Sequence, residues 1–354
     1  MVPLTLAAFV NWYIEETGKL PDGSGPLPDC GAVKLTDGDA FRKMLDAQVL
    51  EYAARLDARL NVIDALRIAF ETGRLVGLRA LRASGLGRQF FTDTLDPLHC
   101  TFFAQLMCRI LGSAEFEEFY GISAPVVCEA YLETKDRPLL SEHYRKLLPG
   151  IAGKTVYPAV LTYRPTRLPV WDGNNKALYY VNTPDGECAL RLLGWTDGRI
   201  PMVGSGSLCY MEDKYGLRRE YYVKPHPFHA LATVMRTLCS DPLDALEMAR
   251  ALCESDPHGG KCPAAAFLPP ETRIRLAVFE DSVTGIECTK NAAEVLRSWG
   301  FETEVLACGI RTTAEKNERL IRAGAILYGD VNEAFDKVLG DPERNYLCEN
   351  HFCS

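Results

Sequence analysis

One stretch near the C-terminal end of the chain constrains its fold more than any other. An apolar run at residues 276–279 ends abruptly in Glu280, Asp281 and Ser282, and Gly285 and a helical pattern follow. Such a bounded apolar run predicts a buried parallel strand that leads through a turn into a helix. In open α/β sheets, ligands bind at the carboxyl ends of such strands. The two acids therefore indicate oxygen ligands for Mg²⁺, or else Glu280, Asp281 and Ser282 are ordinary capping residues of the following helix.

The bulk composition excludes several classes of protein. A chain of 354 residues, with 47% hydrophobic and 24% charged residues, is expected to form two globular domains with real cores. The formal net charge of −8 argues against a general nucleic-acid surface, which needs clustered Lys and Arg. No apolar run reaches about 18 residues, and the N-terminus lacks the basic segment of a secretory signal. We therefore expect neither a membrane partner nor a nucleic-acid partner.

The cysteines indicate the compartment. There are 13 of them, an odd number, and those in the middle of the chain show no paired, knuckle-like spacing. This pattern is typical of reduced, mostly buried thiols in a cytoplasmic protein. The oligomeric state is left open by the sequence.

The hydrophobic pattern of the sequence changes near Gly150. Residues 1–150 carry apolar residues at helical spacing, which predicts a helical domain with a cap-like or accessory role. Residues 151–345 alternate short β-rich runs with helical patterns, so we predict an α/β domain with a mostly parallel sheet. An insertion is expected around residues 240–270, where Pro and Gly interrupt the pattern. The strand candidates in this half are 156–163, 177–181, 201–204, 276–279, 304–308 and 325–328.

Two further segments carry residues suited to phosphate chemistry. Ser205 and Gly206 follow a short apolar run, and a hydroxyl with free backbone amides at a strand tip suits an anionic oxygen. Lys224 opens the turn Lys-Pro-His-Pro, where a fixed ammonium could neutralise phosphate charge. Taken singly, Ser205 also fits an ordinary turn residue and Lys224 an ordinary surface charge.

The order of these segments resembles that in the haloacid dehalogenase (HAD) superfamily, whose Rossmann-like core carries four motifs. These are Asp-x-Asp, a Ser or Thr, a Lys and an acidic pair; Ser205 matches the second, Lys224 the third, and Glu280 with Asp281 the fourth. The resemblance implies Mg²⁺-dependent phosphohydrolysis or phosphoryl transfer on a small phosphorylated molecule. Ser205, Gly206 and Lys224 would hold the phosphoryl group, and the acidic pair would position the metal.

The first motif has two candidate positions, of which the first is residues 159–166. Its strand pattern is the better one, but it sets Thr162 at the nucleophile position and Arg164 at the acid/base position. A Thr without an adjacent base is a poor nucleophile, and an Arg stays protonated. This register implies a catalytically degenerate HAD-like domain that binds an anion or a protein.

The second candidate position is residues 32–40, which contain Asp37 and Asp39. The resemblance would make Asp37 the nucleophile and a Mg²⁺ ligand, and Asp39 the acid/base, with the helices after them as a cap. Against this register, Lys34 would interrupt a buried strand, and Asp37 and Asp39 also suit a helix N-cap. The enzyme and the binding module thus remain as two hypotheses.

Overall fold

The structure, a computed structural model, describes residues 101–154, 156–170, 182–269 and 271–340. The chain divides into two compact units at the boundary between Ala130 and Tyr131. Most of the predicted helical domain, including residues 32–40, lies outside the described residues. No helix within the described ranges is both long enough and apolar enough to cross a membrane.

The described part of the first unit is a pair of helices followed by an extended segment. Helix α1 (Thr101–Leu111) and helix α2 (Ser113–Tyr120) are separated by Gly112 alone. Gly112 has φ of 83°, and a Cβ there would lie 2.8 Å from the backbone nitrogen of Ala130. Only glycine tolerates both conditions, so it allows the extended segment to lie against the end of α1.

That extended segment, residues 121–130, differs from our expectation of helical structure throughout residues 1–150. It contains no helix. Pro125 disfavours the helical conformation of the residue before it. Ser113 also fixes the segment, because its amide and its hydroxyl donate to the carbonyl of Cys128 at 2.9 and 3.1 Å.

The second unit is a mixed α/β structure with two parallel sheets. Its helices are α3 (Tyr131–Lys135), α4 (Glu142–Ile151), α5 (Asp185–Leu193), α6 (Ser205–Lys214), α7 (Pro227–Leu238), α8 (Pro242–Glu254), α9 (Val283–Ser298), α10 (Ala314–Arg322) and α11 (Val331–Leu339). Its strands are β1 (Val160–Leu161), β2 (Met202–Val203), β3 (Arg273–Glu280), β4 (Glu302–Ile310) and β5 (Ile326–Tyr328).

Most of these helices begin where the sequence supplies a capping side chain. Such a side chain accepts a hydrogen bond from a first-turn amide that has no partner inside the helix. The capping residues of α4, α7, α8, α9, α10 and α11 are Ser141, His226, Asp241, Ser282, Thr313 and Asp330. The ordinary interpretation of Ser282 as a helix cap is therefore confirmed.

The strands pair in parallel, as the alternating sequence pattern predicts. β1 pairs with β2, with Val160 opposite Met202 and Leu161 opposite Val203. The other sheet has the order β3-β4-β5, and β3 pairs with β4 along its whole length. The strands predicted at 276–279, 304–308 and 325–328 are confirmed, whereas the one predicted at 177–181 lies outside the described residues.

Two helical layers cover the sheets. On one face, α7 and α9 form a core in which Phe228 and Leu231 are fully buried, and Leu161 of β1 and Leu276 of β3 pack against it. On the other face, Phe335 of α11 stacks on Phe279 of β3, with ring centroids 4.1 Å apart. Phe335 also joins the cluster to which Val160 of β1 belongs.

Helix α8 lies inside the stretch where we expected an insertion. Its side chains Ala245, Leu246, Ala249 and Leu252 are buried in the same core as α7. The helix therefore contributes to the packing of the second unit. The rest of the stretch, residues 255–269, consists of turns and irregular chain.

Candidate functional site

The carboxyl ends of β1 and β2 lie side by side. The amide of Thr162 donates to the carbonyl of Val203 at 3.1 Å, and the amide of Ser205 donates to the carbonyl of Arg164 at 3.2 Å. These bonds extend the pairing of β1 and β2 past the ends of the strands. Thr162, Arg164 and Ser205 therefore come together at one edge of the sheet.

The first turn of α6 is filled by the loop that follows β1. The buried hydroxyl of Thr166 accepts a hydrogen bond from the amide of Gly206 at 3.1 Å. A Cβ at Gly204 would collide with the Thr166 side chain, and one at Gly206 with the Thr166 carbonyl. Ser205 is itself buried, and its hydroxyl donates to Asn182 Oδ1 at 3.2 Å. Ser205 and Gly206, predicted to hold a phosphoryl group, thus already have protein partners.

Lys224 lies in a turn that is held from two sides. Asn291 of α9 donates to the carbonyl of Pro225 at 2.9 Å, and Cys288 of α9 donates to the carbonyl of His226 at 3.1 Å. The Lys224–Pro225 peptide bond is cis. One turn into α7, the ring of His229 bonds the carbonyl of Val203 through Nε2 at 3.0 Å. The Lys224 turn is thereby fixed between β2 and α9.

Lys224 forms an ion pair with Glu280 at the end of β3. Its Nζ lies 2.5 Å from Glu280 Oε1, and the two side chains are only 12% and 14% exposed. The other oxygen, Oε2, accepts hydrogen bonds from the amide of Asp281 at 3.1 Å, the amide of Ser282 at 3.2 Å and the hydroxyl of Ser282 at 2.9 Å. Both oxygens of Glu280 are therefore engaged by the protein.

Asp281 faces a different partner. Its carboxylate is 55% exposed and lies 3.5 Å from Nζ of Lys316 in α10. The acidic pair of the sequence is thus divided between an almost buried Lys224 contact and an exposed contact on α10. Adjacent acids in a chain converge on one ion only if their side chains turn to the same point, and here each has its own ammonium.

The described residues do not fit a Mg²⁺ site. Mg²⁺ needs several oxygen ligands in near-octahedral geometry, but Glu280 is engaged by Lys224 and by three hydrogen bonds. Within the parts of the chain that the structure describes, no group of three or more His, Cys, Asp or Glu side chains is placed to hold a metal ion. Asp37 and Asp39 lie outside the described residues, so their predicted roles stay predictions.

Sequence reasoning gave no site role to Asn182, which accepts from Ser205, or to Asp185 at the start of α5. Asp185 Oδ2 lies 3.6 Å from Arg164 Nη1, and the Asp185 side chain is only 17% exposed. Burial raises the pKa of the Asp185 carboxyl above its usual value, although the neighbouring Arg164 opposes that rise. The signal that could have found both is the run Asn-Thr-Pro-Asp-Gly directly before a helical pattern.

Aromatic side chains surround the strand tips. Tyr163, between Thr162 and Arg164, is 49% exposed, and Tyr221 is 38% exposed. The Tyr221 ring lies 5.3 Å from the ring of His226, next to the Lys224 turn. Partial burial raises the pKa of Tyr163 to about 12, and nearby Glu220 adds to the effect. Tyr163 therefore stays a neutral phenol at neutral pH and can offer an apolar face and a hydrogen bond.

A cleft of about 390 Å³ opens elsewhere in the second unit, at the amino ends of β1 and β2. Arg199 and Arg236 line it, but both guanidinium groups serve the fold. Arg199 pairs with Asp197, and Arg236 donates to the carbonyls of Cys239 and Ser240 at 2.8 and 2.9 Å. We assign the functional site to the strand tips, where the residues singled out in the sequence come together, and not to this cleft.

Comparisons of the chain with protein-family models, with curated proteins and with solved structures found no match.

Proposed function

We propose that the second unit is a HAD-like core that has lost hydrolytic chemistry and binds an anionic small molecule, such as a phosphate ester, without Mg²⁺. Two parallel sheets between shared helical layers support the HAD-like part of this proposal. The positions of three residues support it as well. Ser205 begins the helix after β2, Lys224 precedes α7, and Glu280 ends β3, in the order that the resemblance implies.

The pairing of β1 with β2 is the observation that carries the proposal. It aligns the register 159–166 with the strand before Ser205, and the residues at the strand tip are then Thr162 and Arg164. Thr162 Oγ1 accepts a hydrogen bond from the amide of Arg164 at 3.1 Å. A hydroxyl in that role is not activated for attack, and an arginine cannot transfer the proton that hydrolysis requires.

The charges near the strand tip favour an anion over a metal cation. Arg164 has a side chain that is 46% exposed, and its Nη1 lies 3.6 Å from Asp185 Oδ2, its one ion pair among the described residues. A guanidinium that is open to solvent can accept a second, bidentate partner such as a phosphate. Lys224 is neutralised by Glu280, so Arg164 is the main anchor that we assign to the ligand. Tyr163 and Tyr221 offer contacts to an apolar part of it.

Phosphate release tests the loss of hydrolysis. The purified full chain is incubated with sugar phosphates, nucleotides and aryl phosphates, with Mg²⁺ or with a chelator, and free phosphate is measured. We expect no Mg²⁺-dependent release above that of the Lys224→Ala variant. Mg²⁺-dependent turnover that disappears in Lys224→Ala overturns the proposal. If turnover also disappears in Asp37→Asn but not in Thr162→Val, the nucleophile is Asp37.

A further inference from the structure

The thiols of Cys108 and Cys128 in the first unit lie close together. The two sulfur atoms are 3.9 Å apart, although the residues are 20 positions apart in the chain. Cys108, in α1, is fully buried, whereas Cys128, in the extended segment, is partly exposed. Sulfur atoms in a disulfide are about 2.05 Å apart, so a shift of about 2 Å would join this pair.

The surrounding contacts hold both cysteines in place. Cys108 Sγ donates to the carbonyl of Val126 at 3.2 Å, and Cys128 Sγ donates to the carbonyl of Cys108 at 3.4 Å. The backbone of Cys128 is held by the amide and hydroxyl of Ser113. Gly112 allows the close approach of the two backbones. A pair fixed on both sides in this way can react with little loss of conformational freedom.

We propose that Cys108 and Cys128 form a dithiol site that is oxidised to an intramolecular disulfide by low-molecular-mass disulfides such as oxidised glutathione. This site lies in the first unit and is independent of the function proposed for the second. The ordinary alternative is a pair of thiols, one buried and one partly exposed, that only fill space and make weak hydrogen bonds.

The reaction has two balanced steps. The Cys128 thiolate, which solvent can reach, attacks one sulfur of the external disulfide and breaks its S–S bond, so that one thiolate leaves and takes up a proton. The Cys108 sulfur then attacks Cys128 Sγ and breaks the mixed disulfide, and the second external thiolate leaves and takes up the proton that Cys108 gives up. Two protein thiols are oxidised, and one external disulfide is reduced to two thiols.

Burial explains why Cys108 takes the second role. Burial raises the pKa of the Cys108 thiol to about 11, and the neighbouring Cys128 adds to this rise. Few Cys108 side chains are thiolates at neutral pH, so Cys108 is a poor first nucleophile. Once Cys128 carries a mixed disulfide, the target sulfur lies beside Cys108, and proximity compensates for the small thiolate fraction.

Peptide mapping by mass spectrometry tests the proposal. The native full chain is treated with oxidised glutathione, quenched with acid, alkylated and digested. We expect the Cys108–Cys128 disulfide to be the main cross-linked product, with little glutathione left on Cys128. In Cys108→Ser, the cross-link is lost and glutathione accumulates on Cys128.

Cys262→Ser is the matched control, because Cys262 is also a partly exposed free thiol and lies in the second unit. This variant should form the Cys108–Cys128 disulfide as the unmodified chain does. Circular dichroism checks that each variant is folded. The proposal is overturned if both thiols remain alkylatable in the native chain, or if glutathione accumulates on Cys128 equally with and without the Cys108 thiol.

Discussion

Gly285 shows how a single residue without a side chain determines the geometry of the strand tip. It lies in the first turn of α9, where the Glu280 carboxylate packs directly on its Cα. A Cβ at this position would collide with Glu280 Oε1 and with the carbons of the same side chain. The Lys224–Glu280 ion pair therefore depends on glycine at position 285.

We predict that Gly285→Ala destabilises the protein by about 1–3 kcal/mol, because Glu280 must leave the hydrogen bonds that satisfy its buried charge. An ordinary Gly→Ala change within a helix does the opposite and stabilises by about 0.5–1 kcal/mol. The measurement is the free energy of unfolding in denaturant.

Gly150→Ala is the control for this prediction. Gly150 lies in α4, and a Cβ there would meet no atom within 4 Å. This variant should be as stable as the unmodified chain or more stable. Equal stability changes in the two alanine variants would show that position 285 has no special packing requirement.

His229 carries a second prediction at the scale of one residue. Its ring is fully buried, and because Val203 offers only a carbonyl, Nε2 must carry the hydrogen. Nδ1 has no hydrogen-bond partner among the described residues. Burial lowers the pKa of His229 from 6.5 to about 4, and the nearby Lys224 ammonium contributes to the decrease.

The pKa of His229 is lower in the folded state, so its contribution to stability is complete above pH 6.5 and is lost as pH falls towards 4. Between pH 6.5 and 4 the unfolded chain binds a proton at this histidine that the folded chain does not bind, which lowers the free energy of unfolding by up to about 3 kcal/mol. We predict that His229→Gln removes this part of the pH dependence of the free energy of unfolding. The glutamine side-chain amide has no pKa in this range and can still donate through its own Nε2 to the carbonyl of Val203. His258→Gln, at an exposed position, should leave it intact; the same slope in both variants would refute the assignment.

At the scale of elements, the sequence predicts most of the strands and helices that position the site, but few of the contacts between their side chains. The strand that ends at Glu280 and the helix after it follow from an apolar run and a Gly-marked turn, and both are confirmed. The partner of Glu280 does not follow, because Lys224 is 56 residues away and a strand pattern does not specify where a terminal side chain turns. A local pattern predicts elements, whereas these contacts depend on how distant elements pack.

The length of β1 also could not be predicted from the local sequence. Eight residues at 156–163 look like a strand, but only Val160 and Leu161 form one. Pairing needs a neighbour, and β2 offers only Met202 and Val203 before Gly204 and the start of α6. The length of β1 is therefore determined by its partner strand, which local sequence does not reveal.

The loop after β1 and the start of α5 together carry a prediction about ligand binding. Arg164 comes from the loop and Asp185 from the helix, and the raised pKa of Asp185 means that it takes up a proton more readily than an exposed Asp. Protonation removes the negative charge beside Arg164. Anion affinity should therefore rise as pH falls through the pKa of Asp185.

We predict that Asp185→Asn raises the affinity for inorganic sulfate roughly fivefold to tenfold at neutral pH, because about one unit of nearby charge is removed. It should also abolish the increase in affinity at lower pH. Sulfate is the probe because its charge is constant in this range, and calorimetric titration gives the dissociation constant. Asp197→Asn, which frees Arg199 from a similar pair, is the control and should change neither result.

At the scale of the whole molecule, the second unit keeps the layered plan of an α/β protein while its strand tips are closed by internal contacts. Both sheets share their covering helices, since Leu161 and Leu276 join one core and Val160 and Phe279 both contact the layer around Phe335. The parallel strands thus present their polar ends between the same two layers. We propose that this arrangement of sheets and helical layers serves to shape an anion-binding site and does not support catalysis.

Calorimetric titration of an intact phosphate ester, with Mg²⁺ and with a chelator, tests the central claim most directly. The proposal predicts equal affinities in the two conditions, no release of phosphate during the titration, and weakened binding in Arg164→Ala but not in Arg199→Ala. Binding that requires Mg²⁺, or binding that Arg164→Ala leaves unchanged, would contradict the assignment of a metal-free anion site to the tip of β1.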